Sequence, residues 1–137
     1  MRLVAEDALA EFPCKDVTIS TPCSLQFVGT EAPDPSRICA VSIIRSGDAL
    51  LEAVRDIEPA TKVGKILIQR DESLPEKPAL LYYSKLPPDI AELYVLLCDP
   101  MLATGGSALK ALDVLCEKGV DPAKIVMTLD KHGNTSA

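Results

Sequence analysis

The residues best placed to do chemistry lie in the stretch Tyr94–Ser107. Tyr94–Cys98 reads as a buried strand, Asp99 sits at its end, and Pro100, Met101, Leu102, Ala103, Thr104, Gly105, Gly106 and Ser107 form a small-residue loop that opens a helix. That is the layout of a phosphate cradle. Backbone N–H groups of residues 103–107 can point together at an anion only where no side chain intervenes, and the positive end of the following helix adds attraction. Gly105 and Gly106 supply the clearance. An isolated Thr-Gly-Gly-Ser would be weak, because short glycine motifs also serve ordinary strand–turn–helix junctions. An ATPase-type loop would need a lysine directly after the glycines, whereas the next one is Lys110.

Two arginines are the other candidates. Arg45 follows an apolar strand pattern and opens Arg45-Ser46-Gly47, and Arg70 ends another. A guanidinium fork can bond two oxygens of a phosphate at once. The competing reading of Arg45 is a surface ion pair with Asp48 or Glu52, and that of Arg70 is a solvated charge run with Asp71 and Glu72. His132, the single histidine, has no cysteine or second histidine beside it and is a poor candidate for catalysis or metal binding. No metal site is expected. Tyr82 and Tyr83 read as packing residues.

The elements that must position these groups follow from periodicity. Residues 2–12, with Leu3, Val4, Ala8 and Leu9 among acids, predict an amphipathic helix closed by Pro13. Residues 15–37 predict a hairpin among turn formers. Ile38–Ile44 is apolar or small throughout, as a strand covered on both faces should be. A helix over 48–57 follows, with Asp48 as its N-cap and Ala49, Leu50, Ala53, Val54 and Ile57 as its buried stripe. Lys65–Gln69 and Leu80–Ser84 predict strands of a β-arm, and the charged, proline-containing stretch 70–78 suits a mobile loop at its tip. A helix over 107–118 ends at Gly119, and Lys124–Leu129 is a final strand. Strand–helix–strand order predicts a parallel sheet, in which ligands sit beyond the carboxyl ends of the strands. Arg45–Gly47, Arg70 and Asp99–Ser107 all fall there and can converge.

Composition sets the outer bounds. A chain of 137 residues fits one domain. The net charge of −6, the absence of a dense basic cluster and 4% aromatic content argue against a nucleic-acid surface. Five cysteines form an odd set without Cys-x-x-Cys spacing, which suits reduced thiols in a cytoplasmic protein. The longest apolar run falls far short of the ~18 residues a membrane helix needs, so no membrane partner is expected.

The loop 99–107, together with Met1–Leu9, Val41–Gly47, Val63–Glu72 and Leu81–Ala91 in that order, resembles the uracil phosphoribosyltransferase family over residues 1–128. The resemblance implies an α/β fold, a parallel-sheet phosphoribosyltransferase-type core with a β-arm, in one domain over 1–137. It implies PRPP and uracil as substrates, UMP and pyrophosphate as products, magnesium carried with PRPP, and a homodimer through the 65–84 arm. Carried over by position, Arg45, Arg70 and Asp99 are the catalytic candidates. Arg45 would meet the pyrophosphate, Arg70 would sit at the base of a loop covering it, and Asp99 would hold the ribose hydroxyls. Together with Pro100, Met101, Leu102, Ala103, Thr104, Gly105, Gly106 and Ser107 they form the PRPP site. The wider class has two adjacent acids where this chain has Asp99-Pro100, a variant like the uracil-specific branch that counts against adenine, orotate and purine enzymes. The resemblance stops before residues 130–137, and no base-binding loop is found. It therefore also implies that family segments are missing at both ends, the C-terminal part of the fold included. The alternative expectation is a catalytically incompetent relative that keeps a PRPP half-site, or a non-catalytic binding or oligomerisation module.

Overall fold

The computed structural model describes residues 1–23, 25–70, 73, 78–102 and 104–128. Ile38–Ile44 forms β3, the centre of a five-stranded sheet of order β5-β4-β3-β6-β7. Here β4 is Lys62–Arg70, β5 Ala79–Lys85, β6 Tyr94–Cys98 and β7 Ile125–Thr128. β3 pairs parallel with both β4 and β6, β6 pairs parallel with β7, and only the β4–β5 pairing is antiparallel.

Apolar runs without alternation are what a strand covered on both faces requires, and the two faces of the sheet divide them residue by residue. Cys39, Val41, Ile43, Ile66, Val95 and Leu97 pack with Ala111, Val114 and Leu115 of helix α3, Gly106–Glu117. Ile38, Ala40, Leu96 and Cys98 pack on the opposite face with α1, Arg2–Ala10, and α2, Asp48–Ile57. A one-residue slip of β3 would exchange these two sets, so its register is firmly specified.

Four expectations need correction. Leu3 is 74% exposed, because α1 faces the core through Ala5, Ala8 and the following Phe12, whose small alanines permit close approach to α2. In α2 the buried residues are Leu50, Leu51 and Val54, while Ala49 is exposed. Asp48 is not the N-cap: Gly47 holds that position and no side chain caps the helix. Tyr82 and Tyr83 do not pack within the chain, since β5 is an edge strand and leaves them 60% and 47% exposed.

The expected hairpin is present as β1, Lys15–Ser20, and β2, Gln26–Glu31, a separate two-stranded antiparallel sheet. The β4–β5 arm is also present. Most of its expected tip loop, including Asp71 and Glu72, lies outside the described residues, as do Leu129 and the tail with His132. Helix α3 ends as expected at Gly119, which takes φ +86°. Its N–H donates to the Cys116 carbonyl and that of Val120 to the Leu115 carbonyl, an arrangement that closes helices with a left-handed glycine. No helix among the described residues is long and apolar enough to cross a membrane.

Burial of Cys39 and Cys98 in the two halves of the core pushes each thiol up to about 12. Cys14, Cys23 and Cys116 are exposed. An aromatic disulfide reagent at mildly alkaline pH should therefore modify Cys14, Cys23 and Cys116 in the folded protein, and Cys39 and Cys98 only after denaturation. Because the folded-state values are raised, the contribution of these two thiols to stability is complete below about pH 9. It is lost as pH climbs towards about 12, so melting temperatures should fall across that alkaline window.

Candidate active site

The carboxyl ends of β3, β4 and β6 open onto a cleft of about 250 Å³. Ile43, Ile68 and Ala108 give it an apolar floor, and its polar lining comes from Ser46, Arg70, Asp99, Thr104 and Ser107. These groups arrive on the end of a strand, on the segment that follows one, or, for Ser107, on the first turn of α3, so the sheet positions them together.

The loop after β6 enters α3 through a left-handed glycine. Gly105 takes φ +78°, a conformation that side chains disfavour, and helix α3 begins at the next residue. The helix carries no side-chain cap. Among the described residues, the N–H groups of Gly105, Gly106, Ser107 and Ala108 find no backbone acceptor; the first such bond is Leu109 N–H to the Gly105 carbonyl at 2.8 Å. These are the orphan donors of a helix N-terminus, collected beside the cleft where an anion could accept from them. Clearance explains only part of the glycine pair. A Cβ on Gly105 would meet nothing closer than Leu102 Cδ1 at 3.9 Å, so the backbone angle rather than crowding within the chain requires glycine there.

Asp99 is 5% exposed and lines the cleft. Its Oδ1 accepts from the Met101 N–H at 3.2 Å, so the carboxylate also shapes the first turn of the loop. Arg70 lies across the cleft and donates from Nη2 to Thr104 Oγ1 at 2.8 Å, joining the base of the arm to the phosphate loop. Arg70 is exposed, and Asp71 and Glu72 of the competing charge run lie outside the described residues.

Arg45 is placed differently. The turn that carries it, entered through a cis Ile44–Arg45 peptide, lines the cleft through Ile44 and Ser46, whereas Arg45 itself is exposed beside it. The alternative ion pair does not form: the cation on Asp48 is Lys65, with Nζ to Oδ1 at 3.1 Å. Asp48 Oδ1 also accepts from Ser42 Oγ at 2.7 Å, and the carboxyl lies below its ordinary range chiefly through that bond and then through Lys65. Gly47 permits the turn to close against β6, because a Cβ there would stand 2.2 Å from the Cys98 carbonyl oxygen.

The structure thus brings Arg70, Asp99, Met101, Leu102, Thr104, Gly105, Gly106 and Ser107 to one cleft, with Arg45 at its margin. Pro100 is half-buried behind the loop and Ala103 lies outside the described residues. Sequence reasoning gave Ser46 no role, and position directly after β3 was the signal available for it. Nothing in composition pointed to Ser42 and Lys65.

A family model described as uracil phosphoribosyltransferase matches residues 1–129. The uracil phosphoribosyltransferase of Saccharomyces cerevisiae is 44% identical over 127 residues, covering 91% of this chain and 56% of the relative. That of Dictyostelium discoideum is 45% identical over 128 residues, covering 92% and 56%. The human uracil phosphoribosyltransferase homolog is 40% identical over 127 residues, covering 93% of this chain and 40% of the relative. The chain therefore spans about half the length of the curated relatives it matches. In fold it is similar to the AQ2163 protein from Aquifex aeolicus, with a TM-score of 0.70 at 22% identity, covering 94% of this chain and 69% of that one.

Gly105→Val, which places a β-branched residue at positive φ, should cost the loop its shape. Phosphate-ester affinity measured by calorimetry should fall by about tenfold or more, while far-ultraviolet dichroism stays native. Unchanged affinity in a folded Gly105→Val protein would reduce the loop to a structural turn.

Proposed function

The chain belongs to the uracil phosphoribosyltransferase family, and from that premise we propose that the cleft binds PRPP and that the protein transfers its phosphoribosyl group to uracil. The products are UMP and pyrophosphate. The observation that carries this reading is the convergence on one cleft, at the carboxyl edge of the sheet, of Asp99, Arg70 and helix N-terminal amides that find no backbone acceptor among the described residues.

Those groups suit the charge separation of the reaction. The bond from the anomeric carbon to the pyrophosphate oxygen breaks, a ring nitrogen of uracil bonds to that carbon, and the nitrogen gives up its proton. The ribose gains oxocarbenium character while pyrophosphate gains negative charge, so fixed cations and dipoles serve better than a strong base. The 104–108 amides hold the 5′-phosphate, Asp99 turns its carboxylate to the ribose hydroxyls, and Arg70 with Arg45 faces the diphosphate. Asp99 is the one carboxylate lining the cleft among the described residues, a donor set that suits a cation carried on substrate oxygens. Bound in that way, magnesium neutralises part of the leaving-group charge. Holding both reactants in line supplies much of the remaining acceleration.

Two further properties belong to this reading. The exposed, unpaired Cys14, Cys23 and Cys116 suit a reducing compartment, so we place the protein in the cytoplasm. The edge strand β5 exposes Leu80, Leu81, Tyr82 and Tyr83, and this surface supports a homodimer through the arm. Tyr82→Glu with Tyr83→Glu should then shift the sedimentation coefficient from dimer to monomer; a monomeric unmodified protein would dispose of the arm interface.

Labelled uracil, PRPP and magnesium supplied to the full-length protein should yield UMP at a turnover on the order of 1 s⁻¹ or above. PRPP binding without UMP would leave a binding protein in place of the enzyme. Arg45→Ala and Arg70→Ala should weaken pyrophosphate and PRPP by roughly 10- to 100-fold, as loss of a charge-assisted hydrogen bond does, and ribose 5-phosphate far less. Equal losses for all of these ligands would show that the arginines act through folding.

A further inference from the structure

Asp48 stands at the first position of α2, one residue past the N-cap Gly47, where an aspartate ordinarily faces solvent and favours the helix dipole. Here its carboxylate is directed at the sheet, where Oδ1 accepts from Ser42 Oγ at 2.7 Å and from Lys65 Nζ at 3.1 Å. Ser42 is completely buried in β3, and Lys65 is its register partner on β4. A hydroxyl inside an otherwise apolar strand needs a partner, and Asp48 supplies it. The N–H of Asp48 meanwhile donates to the Arg45 carbonyl at 3.2 Å, and that of Gly47 to the Ile43 carbonyl at 3.0 Å. The turn Arg45–Gly47 is thus tied at its far end to both β3 and β4 through one carboxylate oxygen.

We infer that Ser42, Asp48 and Lys65 form a positioning unit that fixes the Arg45 turn against the cleft and offsets the carboxylate charge beside the diphosphate. The inference rests on the proposed PRPP site and names residues that touch no substrate. An exposed Lys–Asp pair alone contributes little stability, and here the side chains are 43% and 36% exposed. The buried serine is what converts the pair into a geometric constraint, because breaking it leaves an unpaired hydroxyl in the core. Lys65 has a second effect. A bare carboxylate at the start of α2 would add negative charge near the turn that carries Arg45, and the Lys65 ammonium offsets it without lining the cleft.

The test compares ligands and conservative variants in the full-length protein. Asp48→Ala should raise the dissociation constant for pyrophosphate by about tenfold or more, while that for ribose 5-phosphate moves by less than about twofold. Asp48→Asn keeps an oxygen for Ser42 and Lys65 and should recover most of the pyrophosphate affinity. Lys65→Met, which leaves the carboxylate unneutralised, should weaken pyrophosphate and make its affinity fall less steeply with salt, because salt screens the added repulsion. Should Asp48→Ala fail to fold, Ser42→Ala, which removes one oxygen and adds no volume, carries the same expectation. Unchanged pyrophosphate affinity in folded Asp48→Ala or Ser42→Ala, or equal losses for both ligands, overturns the inference. Arg45→Ala separates the two levels. If it weakens pyrophosphate and Asp48→Ala does not, the positioning unit falls alone; if Arg45→Ala itself has no effect, the assignment of the diphosphate to this turn falls first.

Discussion

The cleft depends on one close approach, that of the Gly47 backbone to the carbonyl of Cys98. A Cβ at Gly47 would lie 2.2 Å from that oxygen and 2.9 Å from both the nitrogen and the oxygen of Ile43. A Cβ carbon does not come that close to other heavy atoms, so only glycine allows the turn after β3 to lie against the end of β6. Because Cys98 directly precedes Asp99, this contact sets the separation between the turn carrying Arg45 and the loop carrying the free amides. Backbone packing therefore sets the register of the two halves of the site, and the side-chain bonds of Ser42, Asp48 and Lys65 secure the turn within it. The central strand makes the arrangement rigid: β3 is buried on both faces and paired on both edges, leaving its carboxyl end no freedom to tilt.

The phosphate loop uses the same economy of side chains. An uncapped α3 leaves donors unpaired, and a capping aspartate or serine at Gly105 would have satisfied one of them from within the chain. Positive φ at Gly105 and the missing cap together leave the donors available to a ligand. Asp99 braces the loop from the other side by accepting from Met101. Loop shaping and ribose contact are compatible, since a carboxylate has two oxygens and the bond to Met101 occupies only Oδ1.

Much of this was legible in the sequence because glycines, prolines and apolar runs constrain the backbone directly. Ile38–Ile44, Tyr94–Cys98 and the helix over 48–57 fall at the residues that periodicity indicates. The misreadings have a common cause. Leu3, Asp48 and Tyr82 were assigned by residue type, and in each case tertiary context decided otherwise. Alanines rather than leucine face the neighbouring helix, a buried serine rather than the helix end takes the carboxylate, and an edge strand leaves its tyrosines uncovered. The Arg70–Thr104 bond spans 34 positions and the Lys65–Asp48 bond 17. No local pattern encodes such pairs, and they become visible only once the sheet order brings β4 beside β3.

Charge poses the last problem the fold must solve. A chain with net charge −6 should repel a multiply phosphorylated ligand at long range, so attraction has to be local. Several features act within the screening distance of the cleft, which is about 8–10 Å in physiological salt. Arg70 lines it, Arg45 stands at its edge, and the N-terminus of α3 contributes partial positive charge. Two of the neighbouring acids among the described residues, Asp99 and Asp48, are restrained in different ways. Asp99 is engaged by an amide, and Asp48 is held by Ser42 and neutralised by Lys65. Screening then separates the two scales: salt damps the unfavourable field of the distant acids more than it damps the contacts inside the cleft. An acidic protein can in this way hold a polyanion where carboxylates beside the site already have partners, as Asp99 and Asp48 do here.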